Sequence, residues 1–218
     1  MLASIVLQVP LALFAAHTPL PTCQLEVLTP VALEERVIDD FNQRVDRYVR
    51  LHRRLERSLP PEHLFGDLED MSAAVDGLHQ ALIDARPNVK AGTFFTPAVA
   101  DLLTTRLARA ITASGHTPAE AWIAMNLGYL SGIPEAQVNS RIPAGRQVRV
   151  WPALLAALPA LPEELEYRFV GWDLVLVDTH ADLVVDILKD ALPGVHDALV
   201  GNFALPGNSP RPLRRNDA

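Results

Sequence analysis

Apolar side chains recur at helical spacing through the first part of the chain and at strand spacing nearer its end. From residue 31 to 58, Leu33, Val37, Phe41, Val45, Tyr48, His52 and Leu55 fall on one stripe of a 3.6-residue period, which predicts a long helix. Glu34, Glu35, Asp39 and Asp40 occupy its first half; Arg44, Arg47, Arg50, Arg53, Arg54 and Arg57 occupy its second. That order complements a helix dipole. Pro60 and Pro61 stop the helix. A lone rod leaves its stripe uncovered, so it requires a packing partner.

The following segment supplies one. Leu68, Met71, Val75, Leu78 and Leu82 form a narrow seam suited to antiparallel helix packing. Six acids and no Lys or Arg lie between Glu62 and Asp84, so an acidic helix is expected beside an Arg-rich one. Thr96-Pro97 reads as the cap and first residue of a third helix, with Val99, Leu102, Leu103, Leu107, Ala110 and Ile111 buried and Gly115 as its stop. Thr117-Pro-Ala-Glu120 is a capping box that opens a fourth helix through Trp122, Ile123, Met125 and Leu127.

The pattern changes near Gly132. Val138–Ile142 and Val148–Trp151 alternate as short strands, and Pro152–Pro159 is a short proline-bounded helix. Glu166–Val170 and Asp173–Val177 flank Gly171-Trp172, a two-residue loop suited to a type II′ turn. Asp178–Asp182 is a second polar turn, and Leu183–Leu188 is the next strand. A three-strand antiparallel meander follows. The fold class expected is α+β: a mainly helical N-terminal bundle followed by a small β-meander module.

Composition adds compartment and exclusions. The chain has 218 residues with net charge −7, so it lacks a broad basic footprint for nucleic acid. A single cysteine, Cys23, precludes an intrachain disulfide and a cysteine-rich zinc site. No apolar run approaches the ~20 residues that span a bilayer. The uncharged stretch Leu2–Phe14, followed by Ala15-Ala16, reads as a secretory signal peptide cleaved after Ala15 or Ala16. The expected organisation is a signal peptide over 1–16, a Pro-rich linker over 17–30 and a helical domain over 31–131. A small α+β module over 132–200 and a disordered tail over 201–218 complete it. The mature protein is expected in the periplasm or outside the cell, with no transmembrane helix.

Ile142-Pro143, Val148, Pro152, Leu158-Pro159, Tyr167–Asp178 and Val184–Leu188 together resemble the small C-terminal module of RcnB-like periplasmic proteins. With Phe41–Val49 and Phe95–Val99, the whole chain resembles a family of exported soil-bacterial proteins. The resemblance implies a periplasmic setting. RcnB-like proteins are tied to nickel and cobalt homeostasis, but no metal-ligand motif of theirs carries over to residues here.

Chemistry is sparse. The seven histidines form no His-Glu-x-x-His motif, and no nucleophile elbow, Walker loop or dinucleotide fingerprint is present. Cys23 lies in the Pro-rich linker without an activating base. Two constellations stand out. Asp178, His180 and Asp182 alternate along a turn, with Asp186 beyond, and oxygen and imidazole donors so placed suit a divalent ion such as nickel or manganese. The same residue types also make an ordinary polar hairpin loop. Arg44, Arg47, Arg50, Arg54 and Arg57 form a row suited to a phosphate-bearing envelope polymer or an acidic partner, because guanidinium forks pair oxyanions bidentately. An exposed helix face opposite acidic residues has the same pattern. The expectation is a non-enzymatic, envelope-associated partner-binding protein, with a homodimer through the long helix as an option. The alternative is a periplasmic metal-responsive or metal-buffering protein, and the third reading is a hydrolase with a carboxylate site dispersed in sequence.

Overall fold

The computed structural model describes residues 29–59, 68–125, 135–142, 148–192 and 194–195. The leader expected over 1–16, nearly all of the linker and the tail over 201–218 lie outside the described residues.

Four helices come first: α1 (Pro30–Glu56), α2 (Leu68–Ala85), α3 (Pro97–Ala113) and α4 (Pro118–Met125). Thr29 caps α1 by accepting from the Ala32 N–H, with Pro30 at the first turn. Because the helix starts at Pro30, Glu34 to Asp40 lie beyond its first turn, which holds no acid. Only the Arg53–Arg54 end of the expected dipole pattern is therefore realised. The stripe packs α1 onto α2 and α3 through Phe41, Val45, Tyr48, Val49 and His52. Leu33 and Met71, both expected in apolar seams, are more than half exposed, at 55% and 56%. The expected electrostatic match between α1 and α2 is not what pairs them. Among the described residues, no ion pair joins these helices; Glu34 pairs with Arg106 of α3, and Asp76 with Arg141. At α3, Thr96 stands at the cap position without a side-chain cap bond. The capping box of α4 closes in both directions, Glu120 N–H to Thr117 Oγ1 at 3.2 Å and Thr117 N–H to Glu120 Oε2 at 2.7 Å.

The second part is an antiparallel sheet in the order β1 (Val148–Arg149), β2 (Leu165–Val170), β3 (Asp173–Asp178), β4 (Leu183–Leu188), with the short helix α5 (Pro152–Leu155) between β1 and β2. The three longer strands form the meander. At the β2–β3 turn, Gly171 has φ 62°, the left-handed value that the first central residue of a type II′ turn requires. The strand expected at Val138–Ile142 is instead a turn-containing segment. Asn139, with φ 62°, and Ser140 exchange backbone bonds with Val184 at 2.9 Å.

Alternation splits the sheet into two faces. Leu165, Tyr167, Phe169, Leu174, Leu176 and Leu183 point toward the helices and join their apolar residues in one continuous core. Val170, Val175, Val177, Val184 and Ile187 form the opposite face, covered by Ala136, Val138 and Ile142. Both faces are buried, so β3 and β4 read as apolar runs whose only polar residues are Asp173, Asp178 and Asp186.

A register shift between Leu176 and Val177 sets the position of Asp186. Simple alternation from Leu183 puts Asp186 on the outer face with Val184. The bulge pairs Asp186 with Leu176 instead and turns its carboxylate toward the helices. There Oδ1 accepts from the N–H of Gly92 at 2.7 Å and Ile187 at 2.8 Å, and Oδ2 from Phe94 at 2.5 Å and Phe95 at 2.8 Å. Burial pushes the Asp186 carboxyl above the usual carboxylate range, with these backbone donors pulling the other way. The loop that leads into α3 is thereby tied to β4.

Candidate metal centre

The second buried aspartate ends β3. Asp178 continues the inward series Leu174, Leu176, Asp178 and meets α1 on the helix side of the sheet. Its Oδ2 accepts from Tyr48 Oη at 2.6 Å and from His52 Nδ1 at 2.6 Å. Its Oδ1 accepts from the backbone N–H of His180 at 3.1 Å and of Ala181 at 3.0 Å. Tyr48 and His52 are four residues apart on α1, so one helix face delivers both donors. The tight turn after β3 delivers the other two. His79 of α2 also meets this turn, its Nδ1 2.9 Å from the Ala181 carbonyl.

The bond to Asp178 places a proton on His52 Nδ1 and leaves Nε2 with its lone pair in the neutral ring. His52 is fully buried, and Nε2 has no hydrogen-bond partner. What faces it is Glu56, one helical turn on, with Oε2 3.6 Å away. Glu56 Oε1 lies 3.1 Å from His180 Nδ1, and the rings of His52 and His180 meet edge to face at 5.3 Å. One donor atom from each of His52, Glu56 and His180 lies within 4.8 Å of the others. Ligands held ~2.0–2.1 Å from a tetrahedral zinc ion stand roughly 3.3 Å apart. The observed separations are no wider than 4.8 Å, and Glu56 and His180, the side chains that would move to close them, are both partly exposed.

Electrostatics in the absence of an ion follow the same geometry. Burial opposes charge on His52, but the hydrogen bond and charge of Asp178 outweigh it, and Glu56 and Glu164 add to them. Its pKa is raised above the ordinary histidine value. Burial likewise opposes charge on Asp178, yet the bonds from His52 and Tyr48 hold its carboxyl below the usual range. Burial first, then Asp178, raises the Tyr48 phenol well above its ordinary value. Tyr48 therefore stays a neutral donor.

The turn constellation expected from the sequence is rearranged. Asp178 has both oxygens engaged by protein donors and orients His52, and it stands outside the donor group of His52, Glu56 and His180. Asp182, with φ 45°, turns toward Arg141 at 3.6 Å and stays out of the cluster. Asp186 is spent on the backbone of residues 92–95. Of Asp178, His180 and Asp182, only His180 joins the donor set. Periodicity alone assigns His52 to the apolar stripe and so passes over the pair His52 and Glu56. A histidine inside such a stripe, with a glutamate at i+4, is the signal that finds them.

The arginine row is also divided. Arg44 is held by Asp40, with Nε–Oδ2 at 2.9 Å, and by the Thr93 carbonyl at 3.0 Å. Arg47, Arg50, Arg54 and Arg57 are exposed along α1. Arg53, outside that row, pairs with the buried Glu164 at the start of β2. Comparison with protein-family models, curated proteins and solved structures found no match to this chain.

Proposed function

We propose that this chain is a divalent-metal-binding protein whose ion is held by His52, Glu56 and a ring nitrogen of His180. One observation carries the reading: the buried Nε2 of His52, which makes no hydrogen bond and faces Glu56 Oε2 at 3.6 Å, with Nδ1 committed to Asp178. A metal-ligating histidine regularly donates its other ring N–H to a carboxylate, which fixes the tautomer and raises ligand basicity. Two imidazoles and one carboxylate, without thiolate, favour zinc, nickel or cobalt over calcium or magnesium. Three protein ligands leave a fourth position for water or a second ligand.

The ion bridges α1 and the β3–β4 turn, so binding also fastens the helices to the sheet. The leader expected over 1–16 supports an envelope setting for this binding. No helix among the described residues is long and apolar enough to cross a membrane.

Titration calorimetry on chelator-treated protein with Zn²⁺, Ni²⁺ and Co²⁺ tests the reading. Saturable one-to-one binding that is lost in His180→Ala is expected, with Ca²⁺ and Mg²⁺ silent. Heats that persist unchanged in His180→Ala would sink it. Because His180 is exposed, this variant is expected to retain the fold, which circular dichroism checks.

A further inference from the structure

Four arginines stand free on the solvent face of α1. Arg47, Arg50, Arg54 and Arg57 are exposed, and among the described residues none has an ion pair or a side-chain hydrogen bond. Arg57, at the C-cap, keeps helical dihedrals (φ −67°, ψ −17°), so the row continues through it. At helical twist and rise the four fall within about 80° of arc and about 15 Å of length. The buried residues of α1, from Phe41 to His52, lie on the opposite side of the helix.

The fold gives this row no partner. The helix dipole favours basic residues in the last turn, where Arg53 and Arg54 lie, but it does not account for Arg47 and Arg50. Like charges three and four residues apart repel, so the row is a cost to α1. The carboxylates nearby are engaged elsewhere. Asp40 holds Arg44, Glu164 holds Arg53, and Glu56 turns toward His52 and His180. Asp46 remains on this half of the helix, one acid against four guanidinium groups. A cationic strip thus persists in a chain whose net charge is −7.

We propose that this strip binds a linear phosphate polymer laid along α1. A guanidinium fork pairs a phosphate bidentately, and a spaced row of forks suits an anion that repeats along its length. The large apolar side chains exposed among the described residues are Val31, Leu33, Met71, Ile123 and Leu155, and none lies between Arg47 and Arg57. The strip therefore lacks the apolar centre of a protein interface. It also lacks the apolar face with which an interfacial helix enters a bilayer.

The test is calorimetric titration of metal-free protein with linear polyphosphate and, separately, with poly-L-glutamate and with phosphatidylglycerol vesicles. Saturable polyphosphate binding is expected, falling as salt is added. It should weaken at least about tenfold in the double variant Arg50→Ala/Arg54→Ala. Alanine favours a helix, so this variant is expected to keep α1, which circular dichroism checks. Arg109→Ala/Arg149→Ala, which removes the same charge from exposed residues of α3 and β1, should bind as the parent does. So should His180→Ala, because the strip does not depend on the metal centre. Absence of saturable polyphosphate binding overturns the proposal, as does equal weakening in the two double variants. Equal or tighter binding to poly-L-glutamate or to the vesicles overturns it in favour of an acidic protein or a membrane surface. Each of these results leaves the metal reading standing.

Discussion

His52 Nδ1 lies 2.6 Å from Asp178 Oδ2, both side chains fully buried, although 126 residues separate them in the chain. The pair is held from both directions. Tyr48 and the backbone of the β3–β4 turn complete the shell around the carboxylate, and Glu56 and His180 stand at the free nitrogen of the ring. Buried ionisable pairs of this kind serve as weak stabilisers, since desolvation offsets much of their attraction. Their cost is easier to account for where one member must be oriented for a ligand.

Asp178→Asn tests that orientation. The amide supplies one acceptor atom where the carboxylate supplied two, so either the Tyr48 and His52 donors or the two turn N–H groups lose their partner. Zinc affinity is expected to fall ~10–100-fold, the usual consequence of losing an outer-shell carboxylate. Calorimetry on the folded variant, checked by circular dichroism, reads the change. An unaltered affinity would mean that His52 is not a ligand.

Metal should also raise thermal stability. An ion that binds only the folded state at a free concentration 100 times its Kd stabilises by about 2.7 kcal/mol. Differential scanning calorimetry should show a zinc-dependent rise in Tm for the parent protein and none for His180→Ala. A similar rise in both proteins would place the ion elsewhere.

Asp186 should prove structural. Its two oxygens take four backbone N–H donors, two each. Asp186→Asn turns an NH2 group toward one of those pairs, stranding buried donors. Destabilisation of at least about 2 kcal/mol is expected in urea unfolding, at the cost typical of unsatisfied buried groups. Metal affinity per folded molecule should be unchanged. A neutral substitution would show that the loop before α3 is held by other contacts.

Glu164 predicts an acid limb. Burial opposes its charge, but the hydrogen bond from Arg53 wins and holds its carboxyl below the ordinary 4.5. A depressed folded value means that its stabilisation is fully present above about pH 4.5 and is lost as pH falls through the lower folded value. The stability difference between the parent protein and Glu164→Gln should therefore be flat from pH 7 to 5 and shrink below pH 4.5. A difference that stays constant on acidification would rule out the ion pair as its source.

The helical stripes were legible because side-chain periodicity is a local property of the backbone. Phe41, Val45, Tyr48 and His52 share a face whatever that face touches. The hairpin about Gly171 was legible for the same reason, since a two-residue loop between apolar runs admits few turn geometries. The segment 138–142 misled because alternation there reflects two backbone bonds to Val184 and a cover for the outer sheet face, not a strand of its own. The turn at 178–182 misled differently. Three acidic and imidazole side chains close in sequence looked like one ligand set, yet each oxygen of Asp178 was already claimed from far away.

The four helices, the three-strand meander, their order and the α+β class thus follow from this sequence alone, because they depend on interactions spanning a few residues. The tertiary structure decided which polar groups meet. Bringing His52 and Glu56 against Asp178 and His180 requires the packing of α1 across the sheet, and turning Asp186 inward requires the bulge in β4. Both are products of long-range register, and a one-residue slip in strand pairing moves a side chain to the opposite face.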